Sequence, residues 1–260
     1  MSALLRLIAL SLALTLSAQA AAQSEIPPRL IADLSQSRID IVYTFAGAEL
    51  LVFGAIQYPG GQTPEERPDI VIVVRGPPQS ITVRRKSRVL GIWVNTEAAR
   101  FETAPSFYRA ASTRPVPQLV DERTAAIFEL SPRFLQLSPT GMDPARVTTF
   151  EEGFLSFRED EELYGADPTG VDLVENILYR ARIDIPSTVP VGTYTVEIHL
   201  VQEGDVVAST TRTIDIEKSG FERDIYIAAQ SRSLAYGLTS VALALLLGWA
   251  ASAALHRRSA

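Results

Sequence analysis

Few side chains in this sequence are suited to the commonest kinds of catalysis. The 260 residues include two histidines and no cysteine. His256 follows an apolar C-terminal run, and His199 falls on the polar side of an alternating segment. These positions do not combine with a serine and an acid into a hydrolytic triad, or with further ligands into a zinc site. The sequence therefore predicts no catalytic histidine or cysteine, no bound metal and no cofactor.

Carboxylates are the remaining candidates for chemistry. Six of them lie close together in the middle of the chain: Glu151, Glu152, Glu159, Asp160, Glu161 and Glu162. Paired acids can hydrolyse glycosidic bonds, and carboxylate oxygens also bind hard cations. A run of charge on a helix is more often a solvated surface. We therefore expect a solvated face here, and a carboxylate-based envelope hydrolase is the alternative function.

A short basic patch is formed by Arg84, Arg85, Lys86 and Arg88. This excess of positive charge is local to the patch, because the chain as a whole has a net charge of -6 and a pI near 5.1. This balance argues against nucleic-acid binding, which requires clustered cations to neutralise phosphates. We interpret the patch as the solvated end of a hairpin, with binding of an anion or a lipid headgroup as the alternative.

The C-terminal segment predicts a membrane anchor. Residues 234–255 carry no charge, and 22 residues of helix extend about 33 Å, which matches the hydrocarbon core. Tyr236 and Trp249 lie near its two ends, where aromatic rings favour the headgroup level. The tail 256–260 contains two arginines, which place it in the cytoplasm by the positive-inside rule.

Small residues recur along this predicted span. Ser240, Ala244, Gly248 and Ser252 follow one another at intervals of four residues. Small side chains on one helix face allow a partner helix to approach closely. Because 12 of the 22 residues are Ala, Gly, Ser or Thr, such a row also arises readily by chance. These four residues are a candidate contact face within the membrane.

The N-terminal residues have the order of a secretory signal peptide. Arg6 precedes the apolar run 7–16, and two overlapping A-x-A sites follow at 18–20 and 20–22. An uncleaved anchor is the alternative, but about ten apolar residues are too few to span a bilayer. We predict that residues 1–22 are removed and that most of the chain enters the periplasm.

Between the two ends, residues 23–218 predict a mainly β domain. Apolar and polar residues alternate in 37–45, 177–185 and 194–200, as in half-buried strands. Further predicted strands are 49–56, 69–75, 80–85, 89–94 and 206–216. Residues 189–194 look like the entry to a late strand of bacterial immunoglobulin-like sandwiches, with the Tyr194 hydroxyl on nearby backbone. The predicted fold is therefore an immunoglobulin-like sandwich.

Two parts of this layout predict helix. The segment of about 104–170 favours helix formers, chiefly at 104–111, 121–130 and 143–164, and predicts a helical insertion in the sandwich. Ser219 and Glu222 form a capping box that opens a helical stalk over 219–233. No proline separates this stalk from the predicted span.

Short motifs along nearly the whole chain resemble an alphaproteobacterial family of transmembrane proteins of unknown function. They are FAGAE (45–49), VFGA (52–55), VVRGP (73–77), GIWVN (91–95), APSFY (104–108), GFER (220–223), YGL (236–238) and GW (248–249). The resemblance implies an exported β-rich domain with one C-terminal membrane helix. It implies no known activity.

The sequence thus favours a non-catalytic module that is anchored in the inner membrane by a single pass. Its bulk would lie in the periplasm and its C-terminus in the cytoplasm. We expect contact with the lipid bilayer and with an inner-membrane or periplasmic protein, as an accessory to another envelope or transport protein. Besides the hydrolase, a ligand-sensing subunit of a membrane complex is an alternative.

Overall fold

The computed structural model describes residues 27–41, 47–61, 64, 66–218 and 229–256. The predicted signal peptide (1–22) and residues 219–228 of the predicted stalk lie outside the described residues. So do residues 257–260 of the tail, and side chains are described up to Trp249. The strand predicted over 37–45 is described as far as Ile41.

The described ranges contain thirteen strands, three α-helices and the helical residues 229–231 of the predicted stalk, which a bend at Arg232 separates from the last helix. The strands are β1 (Arg29–Leu34), β2 (Arg38–Ile41), β3 (Ala48–Gln57), β4 (Asp69–Arg75), β5 (Pro78–Val89), β6 (Ile92–Pro105), β7 (Tyr108–Ser112), β8 (Pro139–Thr140), β9 (Tyr164–Asp167), β10 (Val171–Val174), β11 (Leu178–Ile185), β12 (Gly192–Gln202) and β13 (Asp205–Lys218). The helices are α1 (Glu122–Ile127), α2 (Val147–Asp160) and α3 (Ser233–His256).

The strands form three sheets. The first has the order β1-β3-β11-β10, and the second has the order β2-β13-β12-β4-β7-β9. The third contains β5, β6 and β8. The first two sheets contact each other through β1 and β13 and through β10 and β4. The protein is therefore mainly β, as predicted.

Burial explains why the strands have different sequence patterns. In β11 the residues alternate strictly between exposed and buried, so this strand has one covered face. In β4, by contrast, every residue from Asp69 to Val74 is buried. A strand that is covered on both faces has a continuous apolar sequence, as residues 70–74 do.

The predicted contact of Tyr194 is confirmed. This side chain is fully buried at the start of β12, and its hydroxyl donates to the Pro190 carbonyl oxygen at 2.6 Å. The hydrogen bond satisfies the polar end of the ring and fastens the entry loop to the strand.

The helix predicted over 104–111 is wrong. β6 extends to Pro105, and β7 pairs with β4 in the second sheet, with Arg109 opposite Val74. Tyr108 and Ala110 are buried there. Tertiary burial outweighs the helix propensity of the alanines, which amounts to only a few tenths of a kcal/mol per residue.

The other two predicted helices of the middle segment are present. α1 lies within 121–130, and Asp121 caps it by accepting a hydrogen bond from the Thr124 amide at 2.7 Å. α2 lies within 143–164. The chain then returns to the second sheet, because β9 pairs in parallel with β7. The middle segment is thus mixed rather than helical throughout.

β5 and β6 form one long hairpin. The strand predicted over 80–85 lies within β5. The strand predicted over 89–94 is wrong at its start, because the chain reverses at Leu90 and Gly91 and only residues 92–94 lie in β6. β8 pairs with β6 only at Arg100 and Phe101. The outer part of the hairpin is therefore a two-stranded ribbon.

α3 is a helix of 24 residues. All its described side chains, including eight large apolar ones between Leu234 and Leu247, are exposed. The hydroxyls of Thr239 and Ser240 donate to backbone carbonyls four residues earlier. Among the described residues, no helix reaches the combination of length and apolar character that crossing a membrane requires.

Candidate functional site

Arg75 links three segments of the domain through its guanidinium. Its Nη2 lies 3.3 Å from Glu129 Oε2 and 3.4 Å from Glu197 Oε2, and it donates to the Phe128 carbonyl oxygen at 3.1 Å. The three charged side chains are only 22–26% exposed. Ion pairs in such a position are screened less than those on the open surface. Arg75 therefore fixes the loop after α1 against β4 and β12.

His199 belongs to the same cluster. Glu197 and His199 are two residues apart on β12 and so share a face of the sheet. The Nε2 atom of His199 lies 3.7 Å from Glu197 Oε2, and its Nδ1 atom lies 2.8 Å from the Ser209 hydroxyl. The ring packs edge-on against Phe128, with the ring centres 5.3 Å apart.

The position of His199 corrects an expectation from the sequence. This residue was expected on a solvated polar face, yet it is only 4% exposed. The chain around Phe128 covers that face of the second sheet. Burial of a polar strand face by a distant segment leaves no trace in the local alternation, so the pattern alone does not reveal it.

The electrostatics of this cluster favour the ionised form of Glu197. Contact with His199 lowers the pKa of Glu197, and the charge of Arg75 lowers it further, although partial burial acts in the other direction. A general acid needs a pKa raised towards neutrality. Glu197 is instead held ionised and paired, which suits binding or structural support.

A cleft of about 270 Å³ opens beside Arg75. Its lining combines Arg75, Glu129 and Glu197 with Gln136 and two threonines, together with apolar residues such as Leu135 and Leu137. The Nε atom of Arg75 is buried and has no hydrogen-bond partner among the described atoms. The cleft therefore presents both charge and apolar surface.

The acidic run of the middle segment is mainly solvated. Glu152, Glu159 and Asp160 are exposed on α2, whereas Glu151 is partly buried and its pKa is raised for that reason. Glu161 pairs with Arg158 at 3.2 Å. In the described part of the chain, no three histidine, aspartate or glutamate side chains are grouped to hold a metal ion.

Two of these acids line a cleft with carboxylates from distant parts of the sequence. Glu159 and Glu162 line a cleft of about 670 Å³ together with Glu49 and Asp184. Arg109 lies in the same cleft and donates to the Glu162 carbonyl oxygen at 3.2 Å. Tertiary structure brings these positions together from β3, α2 and β11, so their spacing along the chain gave no signal.

Arg158 is a further residue that sequence analysis missed. It is buried, and it donates to the Ser106 carbonyl oxygen and to Glu161. Its guanidinium also lies over the Tyr164 ring at 5.3 Å. A signal was available, because Phe150, Phe154 and Arg158 follow at intervals of four residues on one helix face.

The basic patch lies at the outer part of the hairpin, as predicted. Arg84, Arg85, Lys86 and Arg88 are all exposed on β5. Arg85 pairs with Glu97 across the hairpin at 3.5 Å. The described ion pair of Arg85 therefore lies within the hairpin and does not involve the acidic run on α2.

The candidate contact face lies along α3. Ser240, Ala244 and Gly248 are exposed, and the side chain of Ser252 lies outside the described part. The Ser240 hydroxyl donates to the Tyr236 carbonyl oxygen at 2.8 Å, so its hydrogen-bonding need is met within the helix. Contact with a partner helix remains a prediction.

These features define a mainly β protein that continues into an exposed, apolar C-terminal helix. The chain belongs to the family described as "Putative transmembrane protein (Alph_Pro_TM)", which matches residues 29–257. The match extends from β1 past α3, so the resemblance seen in the short motifs is confirmed. No curated protein matches the sequence.

Proposed function

We propose that this protein is a non-catalytic binding or assembly module, anchored in the inner membrane by α3 and accessory to another envelope or transport protein. The observation that carries the proposal is the exposure of α3. Every described side chain from Gln230 to Trp249 is exposed, and this includes the apolar residues of 234–249. A helix that is apolar on all sides requires an apolar environment, either lipid or a protein interior.

The uncharged sequence of residues 234–255 favours lipid, whereas the described part of the helix does not by itself reach the length and apolar character of a membrane span. Residues 234–255 are uncharged and would extend about 33 Å as a helix. The family description also names a transmembrane protein. Arg257 and Arg258 would lie in the cytoplasm, and the signal peptide would place residues 23–218 in the periplasm.

For the periplasmic part we infer an immunoglobulin-like sandwich. The contact between the first two sheets and the hydrogen bond from Tyr194 to Pro190 support this architecture. Such sandwiches commonly present surfaces for other proteins. Glu197 is bound to Arg75, and its pKa is lowered first by contact with His199, which supports binding rather than acid–base chemistry.

The anchor can be tested with the full-length protein in bacterial membranes. The double variant Leu243→Arg and Leu246→Arg should convert a membrane-bound protein into one that alkaline carbonate extracts, because each arginine at mid-span costs about 2.5–3.5 kcal/mol. Leu178→Arg is the matched control, since Leu178 is exposed on β11. Extraction of the unaltered protein would contradict the anchor.

The partner can be tested by affinity capture from detergent-solubilised membranes followed by mass spectrometry. Repeated recovery of one envelope or transport protein supports the proposal. This recovery should be lost in the Leu243→Arg and Leu246→Arg variant. The hydrolase alternative rests on the cleft that contains Glu49, Glu159, Glu162 and Asp184. Turnover of an envelope glycan or ester that Glu159→Gln abolishes would favour the enzyme.

A further inference from the structure

The tip of the long hairpin exposes an unusual amount of apolar surface. Leu90 is 99% exposed, Ile92 is 67% exposed and Trp93 is 66% exposed, and Val89 beside them is also exposed. These residues are contiguous around the turn. A contiguous exposed patch of large apolar side chains on a soluble domain marks a place of interaction.

The turn itself does not account for Leu90. Leu90 and Gly91 have φ angles of 50° and 87°, so both occupy the left-handed region of a two-residue hairpin turn. Such turns favour Asn-Gly, because a bulky side chain is disfavoured at positive φ. Leucine at this position is unfavourable for the backbone and for solvation alike. An apolar environment at the tip would remove the solvation cost of this leucine.

The residues behind the tip are basic. Arg84, Lys86 and Arg88 occupy alternate positions of β5 and so share one face of the ribbon. Residues 84–96 contain four basic residues and no acidic one. In the described ranges, no carboxylate pairs with these three residues, while Arg85 on the other face pairs with Glu97.

The order of side chains along the hairpin matches the layers of a bilayer surface. Val89 lies opposite Ile92 next to the turn, Arg88 lies opposite Trp93, and Lys86 lies opposite Asn95. Leu90 and Lys86 are four residues apart, about 14 Å along the strand. Apolar groups thus come first, then the Trp93 indole with Arg88 beside it at the level that tryptophan prefers in membranes, then Lys86 at the level of the phosphates.

We propose that this hairpin tip inserts into an anionic lipid surface, with Val89, Leu90 and Ile92 among the acyl chains and Arg84, Lys86 and Arg88 against the headgroups. The basic face supplies the charge complementarity that selects anionic lipid. The inference is independent of the anchor, because it rests on residues of β5 and β6 alone. If α3 also spans the membrane, the two contacts together fix how the domain stands on the bilayer.

The two tryptophans of the chain allow each contact to be measured separately. In the full-length Trp249→Phe variant, Trp93 is the only indole. We expect its emission to shift to shorter wavelength in vesicles of phosphatidylcholine with phosphatidylglycerol, and to be quenched by brominated acyl chains. Vesicles of phosphatidylcholine alone should produce a much smaller effect, and added salt should reverse the binding.

Single substitutions test the two parts of the surface. In the Trp249→Phe background, Lys86→Gln should lower the inserted-to-free ratio of the tip about fivefold, the equivalent of about 1 kcal/mol per cation. Leu90→Asp should abolish insertion. The matched controls Arg123→Gln and Ile127→Asp change exposed side chains of α1 and should leave Trp93 emission unchanged.

The outcomes separate this inference from the proposed anchor. Trp93→Phe leaves Trp249 as the reporter of α3. Quenching of Trp249 without quenching of Trp93 would overturn the hairpin proposal and leave the anchor. A water-exposed Trp93 in every vesicle, combined with protein cross-links from a photoreactive residue at position 90, would overturn lipid binding in favour of a protein partner.

Discussion

Arg75 shows how much of this domain depends on one cation. It pairs with Glu129 and Glu197 and also donates to the Phe128 carbonyl oxygen. Between α1 and β8 the loop contains only a short 3-10 helix, Pro132–Phe134, so contacts such as these hold it against β12. Loss of the guanidinium would leave two partly buried carboxylates without their partner.

We predict that Arg75→Met lowers the free energy of unfolding by about 1–2 kcal/mol. This is less than for a fully buried pair, because water screens side chains that are about one-quarter exposed. Urea denaturation of the purified protein in detergent measures the change. Arg100→Met is the control, since the side chains of Arg100 and Glu102 are at least half exposed and their pair should contribute little.

Glu197 should make stability depend on pH. Its pKa is lowered in the folded protein by His199 and Arg75, so the folded state binds its proton less readily than the unfolded state does. The resulting stabilisation is present above the ordinary glutamate pKa and is lost as pH falls through the folded value. Glu197→Gln should flatten the decline in thermal midpoint below about pH 4.5. A decline as steep as that of the unaltered protein would refute this role.

At this scale the sequence predicted some contacts and missed others for identifiable reasons. The Tyr194 hydrogen bond was predictable because donor and acceptor are four residues apart within one motif. The Arg75 cluster was not, because Arg75, Glu129 and Glu197 are separated from one another by more than 50 residues and carry no shared spacing. Short sequence patterns predict contacts between residues that are near one another in the chain, and not contacts between distant segments.

Among the elements, α2 shows a limit of helical periodicity. Helical spacing in the sequence groups four apolar residues, Phe150, Phe154, Phe157 and Leu163. The structure buries Phe150, Phe154 and Arg158 and leaves Phe157 51% exposed. Hydrophobicity alone misassigns position 158, whose charge is satisfied by the Ser106 carbonyl oxygen and Glu161.

The two phenylalanines provide a matched test of this assignment. Phe154 is fully buried, with its ring 4.6 Å from that of Phe101 and edge-on to Tyr164. Phe154→Ala should therefore lower the free energy of unfolding by about 3–5 kcal/mol. Phe157→Ala should change it by less than about 1 kcal/mol. If both variants lost the same free energy of unfolding in chemical denaturation, the buried face of α2 would be assigned wrongly.

The strands were easier to predict than the segment between them. β4, β11 and β12 were predicted within about two residues, because each has either strict alternation or a continuous apolar run. β7 and β9 were missed, since APSFYRAA has the composition of a helix and 164–167 is short. Their strand form comes from pairing with partners distant in sequence, β7 with β4 as well as with β9.

At the scale of the whole molecule, the folded core and the apolar helix are separate. The described core extends from Leu30 to Ile216 and includes residues of the first two sheets, α1 and α2. No described residue of α3 belongs to it. The described apolar residues of α3 therefore do not add to the buried core of the domain.

This separation predicts that a chain ending at Lys218 folds without its C-terminal helix. It keeps every described core residue, so we expect cooperative thermal unfolding with circular dichroism dominated by strands and a minor helical component. Phe154→Ala should lower its midpoint as it does in the full-length protein, because the same ring contacts are lost in both. A non-cooperative transition with loss of near-ultraviolet signal would contradict the prediction, since it would mean that the sheets need the membrane or a partner to pack.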